Sequence, residues 1–150
     1  MIRIIKSFRT ITSILFIAIL LITYSYMIES LMVFTNVEKT RMIKVESLFY
    51  IGLAVFVFVN LIFFLFDKAL ISYRSRNDVS PFFTSSTFLG WLYFLNLSVN
   101  ILLITIIMYL GFINSKDYYQ FMSYSILLYL GPVLIIVSLI ALPVLYFRYR

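Results

Sequence analysis

The chain contains neither cysteine nor histidine, and only six of its 150 residues are acidic. Without cysteine there are no disulfides, no thiol nucleophile and no thiolate metal site. A helical membrane bundle needs no such staples, so this absence does not identify a redox compartment. Without histidine the usual ligand for haem b and for most zinc and copper sites is missing. Serine chemistry loses its usual base, and each lysine lies in a terminus or loop with no serine motif around it. The acids Glu29, Glu38, Glu46, Asp67, Asp78 and Asp117 are dispersed. None falls mid-span, so aspartyl chemistry inside the membrane and carboxylate metal hydrolysis have no residues to work with. Four glycines, at 52, 90, 111 and 131, build no phosphate-binding loop. The expectation is a non-enzyme with no cofactor, no metal and no catalytic residue.

What is present is apolar. Hydrophobic residues make up 63% of the chain and charged residues 12%, against about 25% charged in soluble domains. Four runs are long enough to cross a hydrocarbon core of roughly 30 Å as helix. They cover approximately 11–33, 47–66, 88–112 and 121–147. A spanning strand would need only about 9–11 alternating residues, so length selects helix. The expected fold is all-α and integral to the membrane, one domain over 1–150, with four antiparallel up-down helices.

Basic residues set the orientation. Arg3, Lys6, Arg9, Lys68, Arg74, Arg76, Arg148 and Arg150 fall on one side, and Lys39, Arg41, Lys44 and Lys116 on the other. The positive-inside rule places both termini and the 67–86 loop in the cytoplasm. The net charge of +6 flanks apolar helices, so anionic headgroups at Lys68, Arg74 and Arg76 are expected partners and nucleic acid is not. TYSYMIES lacks the small-residue cleavage site of a signal peptide, so the first run is read as a retained span. A bacterial inner membrane is expected. The basic, acid-free start also has the composition of a mitochondrial presequence.

Three loop features carry local expectations. Thr35-x-x-Glu38 has capping-box spacing, which would start the second helix near Asn36 and raise a mixed-charge stalk; a solvated loop with paired charges is the other reading. Ser80-Pro81 reads as an N-cap followed by proline at the first helical position. INSKDYYQ is short and makes the last two helices antiparallel neighbours.

Asn60, Asn96 and Asn100 stand inside apolar spans. Asn96 and Asn100 are about 40° apart on a helix and share a face with Leu92, Leu103, Ile104 and Ile107. An amide in hydrocarbon needs a partner, so these are candidate contacts between helices or with a partner subunit. The sharper reading is a polar pathway or ligand site. Asn96-Leu97-Ser98 also has the glycosylation pattern, but inside a span. In the second span Glu46, Tyr50, Leu53, Val57, Asn60, Phe64 and Asp67 repeat at four-three spacing, marking a face expected to meet protein. Gly131-Pro132 lies near the middle of the fourth span and Pro143 near its end, both expected to be structural. Trp91, Tyr93, Tyr118, Tyr119 and Tyr146 are expected interfacial anchors.

Two functions fit. One is a small non-catalytic accessory or structural subunit of a larger membrane complex, with other integral membrane subunits as partners. The other is a homo-oligomeric channel or carrier for a small or amphipathic solute. A lipid-facing scaffold with basic loops is a third.

Overall fold

The computed structural model describes residues 2–28, 30, 32–36, 38–73, 82, 83, 85–114 and 128–149. Among them are four helices: α1 (Ile2–Met27), α2 (Val45–Tyr73), α3 (Ser86–Ile113) and α4 (Leu130–Tyr149). At 1.5 Å per residue they are roughly 30–44 Å long. All four are long and apolar enough to cross a membrane, so the chain is an integral membrane protein. The expected spans are recovered with shifted ends. α1 begins nine residues before the apolar run, because Lys6 and Arg9 are good helix formers. The hydroxyls of Thr10, Thr12 and Ser13 are absorbed by the carbonyls of Lys6 (3.2 Å), Arg9 (2.9 Å) and Arg9 (3.0 Å). α2 runs past Asp67 and Lys68, since a helix satisfies its own backbone outside the bilayer as well as inside. The expected stretch 121–127 lies outside the described residues, as does Ser80-Pro81. The described start of α3 is capped by Ser85, whose Oγ accepts from the Phe88 amide at 3.1 Å.

The stalk expected after α1 is not formed. Residues Met32–Phe34 (β1) and Met42–Lys44 (β2) pair as an antiparallel hairpin, with Val33 opposite Ile43. Asn36 decides this. Its Oδ1 accepts from the amides of Thr40 and Arg41, both at 3.1 Å, and its Nδ2 donates to Thr40 Oγ1 at 2.7 Å. The asparagine side chain thus takes the place of a strand end and folds the loop back. Thr35 spends its amide and its hydroxyl on the Arg41 carbonyl rather than on a helix start. The turn is closed by Lys39 at φ 54°.

Helix α3 is the axis of the molecule. In its most apolar stretch 39% of residues are buried, against 17% for α1, 11% for α4 and 6% for α2. Contacts fix the directions. Ser13 meets Asn100 and Thr23 meets Gly111, so α1 runs parallel to α3. Asn60 meets Asn100 and Asp67 meets Tyr93, so α2 runs antiparallel. Ser138 meets Ser98 and Tyr146 meets Phe82, so α4 is antiparallel too.

Between α1, α2 and α3 the core holds Phe16, Leu20, Phe56, Ile104 and Ile107. Phe16 stacks on Phe56 with ring centres 4.4 Å apart. Gly52 lets α2 sit this close: a Cβ there would lie 3.2 Å from Leu20 Cδ1. A second cluster of Met27, Val33, Val45 and Leu48 joins the hairpin to the helix ends. Lipid tails are as apolar as these side chains, so fit and hydrogen bonds hold the bundle rather than exclusion of water.

Candidate functional site

The three asparagines meet. Asn96 and Asn100 lie one turn apart on α3 and are 1% and 0% exposed; Asn100 reaches both α1 and α2. Asn100 and Asn60 form a reciprocal amide pair: Asn60 Nδ2 donates to Asn100 Oδ1 at 3.0 Å, and Asn100 Nδ2 to Asn60 Oδ1 at 3.3 Å. Asn100 Nδ2 also reaches Asn96 Oδ1 at 3.1 Å and Ser13 Oγ at 3.3 Å. An amide has only two hydrogens to share among these acceptors, so the cluster is tight. Asn60 Nδ2 has the Phe56 carbonyl at 3.0 Å as well. Among the described residues every buried side-chain nitrogen and oxygen has a partner. The cluster is neutral and satisfied within the chain. Through Asn100, Asn60 and Ser13 it clamps three helices.

Within the chain, α2 packs by a ridge other than the four-three stripe. Tyr50, Val57 and Phe64 are 67%, 54% and 52% exposed, whereas Val45, Leu48 and Phe56 are buried. The four-three pattern assumed a supercoiled seam. The helix instead packs along steps of four through Leu48, Gly52, Phe56 and Asn60, a ridge of an ordinary α-helix. Leu53, Asn60 and Asp67 fall at the border of both stripes.

Two expected anchors are ties between helices. Trp91 Nε1 donates to the Ser138 carbonyl of α4 at 2.7 Å, beside a Ser98–Ser138 hydroxyl pair at 3.1 Å. Tyr93, 7% exposed, donates its hydroxyl to Asp67 Oδ1 at 2.8 Å and carries the Arg9 guanidinium 4.9 Å from its ring centre. Both polar tips find acceptors on a neighbouring helix, which in an apolar medium is worth more than their exposure at an interface. Gly131-Pro132 stands in the first turn of described α4, where proline has no intrahelical bond to lose. It is level with Leu102, near the middle of α3. Tyr118 and Tyr119 lie outside the described residues.

Asn114 was not singled out by the sequence, although it directly follows the long apolar run of α3. Its Oδ1 accepts from the Phe34 amide at 2.7 Å and its Nδ2 donates to the Phe34 carbonyl at 2.9 Å. Thr35 bonds across to Arg41, so Phe34, one residue away, turns its backbone groups outward. Asn114 therefore acts as a one-residue third strand. Replacing Asn114 by alanine is expected to cost about 1–3 kcal/mol. Hydrogen exchange at the Phe34 amide should quicken while exchange in the middle of α3 does not. An unchanged Phe34 rate would show that the pairing carries no weight.

Of the basic loop, Lys68 is exposed, with Nζ 5.6 Å from the Phe64 ring centre. Arg74 and Arg76 lie outside the described residues. No group of three or more acidic or other metal-ligating side chains occurs among the described residues. No protein-family model, curated protein or solved structure matches this chain.

Proposed function

We propose that the chain is a small non-catalytic accessory or structural subunit of a larger multi-subunit membrane complex. The observation that supports it most is the outer wall of α2. This 29-residue helix is held along one narrow ridge. Ile51, Phe58, Leu61 and Leu65 stand 57%, 64%, 49% and 56% exposed on its remaining surface. Asn60, Asn100 and Ser13 are spent on holding the chain's own helices together. What remains for function is a broad apolar surface suited to spans of other subunits. The reading includes a bacterial cytoplasmic membrane, both termini inside, and anionic headgroups against Lys68, Arg74 and Arg76.

The test is extraction in a mild detergent at native expression level, followed by native mass and identification of co-purifying chains. At least one other integral membrane chain is expected in fixed ratio. Phe58→Ala with Leu65→Ala should lower its recovery while leaving the melting temperature of the isolated chain unchanged. A homogeneous assembly of this chain alone would reject the subunit reading in favour of a homo-oligomeric channel or carrier.

A further inference from the structure

The two faces of the hairpin differ. Val33 and Ile43 pair across it and turn inward, packing with Met27, Val45, Leu48 and Leu110 at the helix ends. Side chains alternate along a strand, so Met32, Phe34 and Met42 turn to the other face. Met32 and Met42 are 46% and 50% exposed. Glu38, Lys39, Arg41 and Lys44 are exposed beside them, and these charges keep the hairpin in water. An apolar face therefore stands outside the hydrocarbon, among charged neighbours.

Its two edges differ as well. The Thr35 amide bonds to the Arg41 carbonyl at 2.9 Å. In an antiparallel ladder the next pair along, Phe34 and Met42, turns its amides and carbonyls away from the neighbouring strand. Asn114 takes both groups of Phe34, which closes the β1 edge. Among the described residues nothing bonds to the amide or carbonyl of Met42, so the β2 edge is open. An extended chain is the partner that matches a free amide and a free carbonyl on one strand, and its side chains cover the strand's exposed face. Arg41 and Lys44 border this edge and choose between strands. A second copy of β2 would bring the same two cations alongside, which is how edge lysines oppose self-pairing. Acidic residues opposite them would be favourable. Resting on the subunit reading, and deepening it, we infer that β2 receives an extended segment of another subunit. That segment carries an apolar residue opposite Met42 and acidic residues opposite Arg41 and Lys44.

The native assembly, extracted in mild detergent, is compared with the chain expressed alone by hydrogen exchange read at single amides. Met42 should exchange about tenfold more slowly in the assembly, as two backbone bonds of ordinary strength would give, while Val33 stays unchanged. Carbodiimide, which joins an amine to a carboxylate, should link Lys44 to an aspartate or glutamate of the other chain. Met42→Pro removes the outward amide but no bond of the hairpin, and proline is tolerated on an edge strand. It should cut recovery of the other chain about fivefold, with the melting temperature of the isolated chain unchanged. Lys44→Glu, on an exposed side chain, should lower recovery without touching the backbone. An assembly in which Met42 exchanges as fast as in the chain alone overturns the inference and leaves the subunit reading standing. Slow exchange in an assembly of this chain alone overturns both, because a second copy then fills the edge.

Discussion

Asn100→Leu should destabilise the bundle by about 2–4 kcal/mol, and replacing Asn60, Asn96 and Asn100 together by leucine should cost less than that. Asn100 is the hub. Its removal strands the Asn96 carbonyl and the amide face of Asn60, while Ser13 keeps its own bond to the Arg9 carbonyl. Two magnitudes compete. Interhelical hydrogen bonds in membranes are worth on average about 0.6 kcal/mol each, which for the contacts of Asn100 sums to roughly 2 and would grow with every asparagine removed. A buried polar group left without a partner costs about 1–3 kcal/mol, and that penalty disappears when its partner is removed too. Deep in hydrocarbon, with no water to relieve the orphaned groups, the second should win. Leucine keeps the branch at Cγ, so the apolar triple variant can repack. Unfolding in mixed micelles, followed by circular dichroism, measures both variants. A triple variant clearly weaker than the single one would mean that the bonds themselves carry the stability. In either case the loss is in the isolated chain, which separates this role from a contact with another subunit.

Gly131→Val should detach α4 from α3 over their upper contact at a cost of about 3 kcal/mol, the upper part of the range for overpacking. A Cβ at Gly131 would lie 2.6 Å from Leu102 Cα and 3.0 Å from Leu102 N. These are backbone atoms of a buried helix and cannot rotate away, so α4 must move. Gly131→Ala tests the same contact more mildly. Its gain in helix propensity of up to about 1 kcal/mol does not offset the clash. Displacing α4 pulls Ser138 from Ser98 and from the indole of Trp91. Trp91 is the sole tryptophan of the chain, so its fluorescence reports this contact alone. Quenching by brominated lipids should rise in Gly131→Val and stay level in Ile140→Val, a change on the exposed face of α4. Unchanged quenching in Gly131→Val would contradict the close approach of these helices.

The placement of polar residues was partly legible beforehand. Asn96 and Asn100 had to share a face, because helical geometry allows nothing else at a spacing of four. Their partners were not legible. Asn60 lies forty residues away, and Ser13 is one of many hydroxyls that could have satisfied itself locally. Trp91 and Tyr93 looked like anchors because residues near a span end and residues between helices have the same composition. Only the position of Ser138 and Asp67 separates the two roles. Asn114 carried one weak signal, a lone amide at the end of an apolar run, and its use as a strand mimic needed the hairpin to exist first.

Length and hydropathy by themselves determined that four helices cross a membrane. In a medium without water, runs of that length have no other way to satisfy their backbones. The missing histidine, cysteine and mid-span acids likewise determined which chemistries have no residues here. The tertiary structure alone decided which face of each helix turns inward. With the chain apolar on every side, hydropathy has no direction to offer, and the choice falls to close contacts such as Gly131 against Leu102 and to amides that must find one another. It also decided that Met32–Phe34 and Met42–Lys44 pair as a hairpin. There a single asparagine side chain, closing a turn on Thr40 and Arg41, outweighed a helix-start pattern that nothing downstream supported.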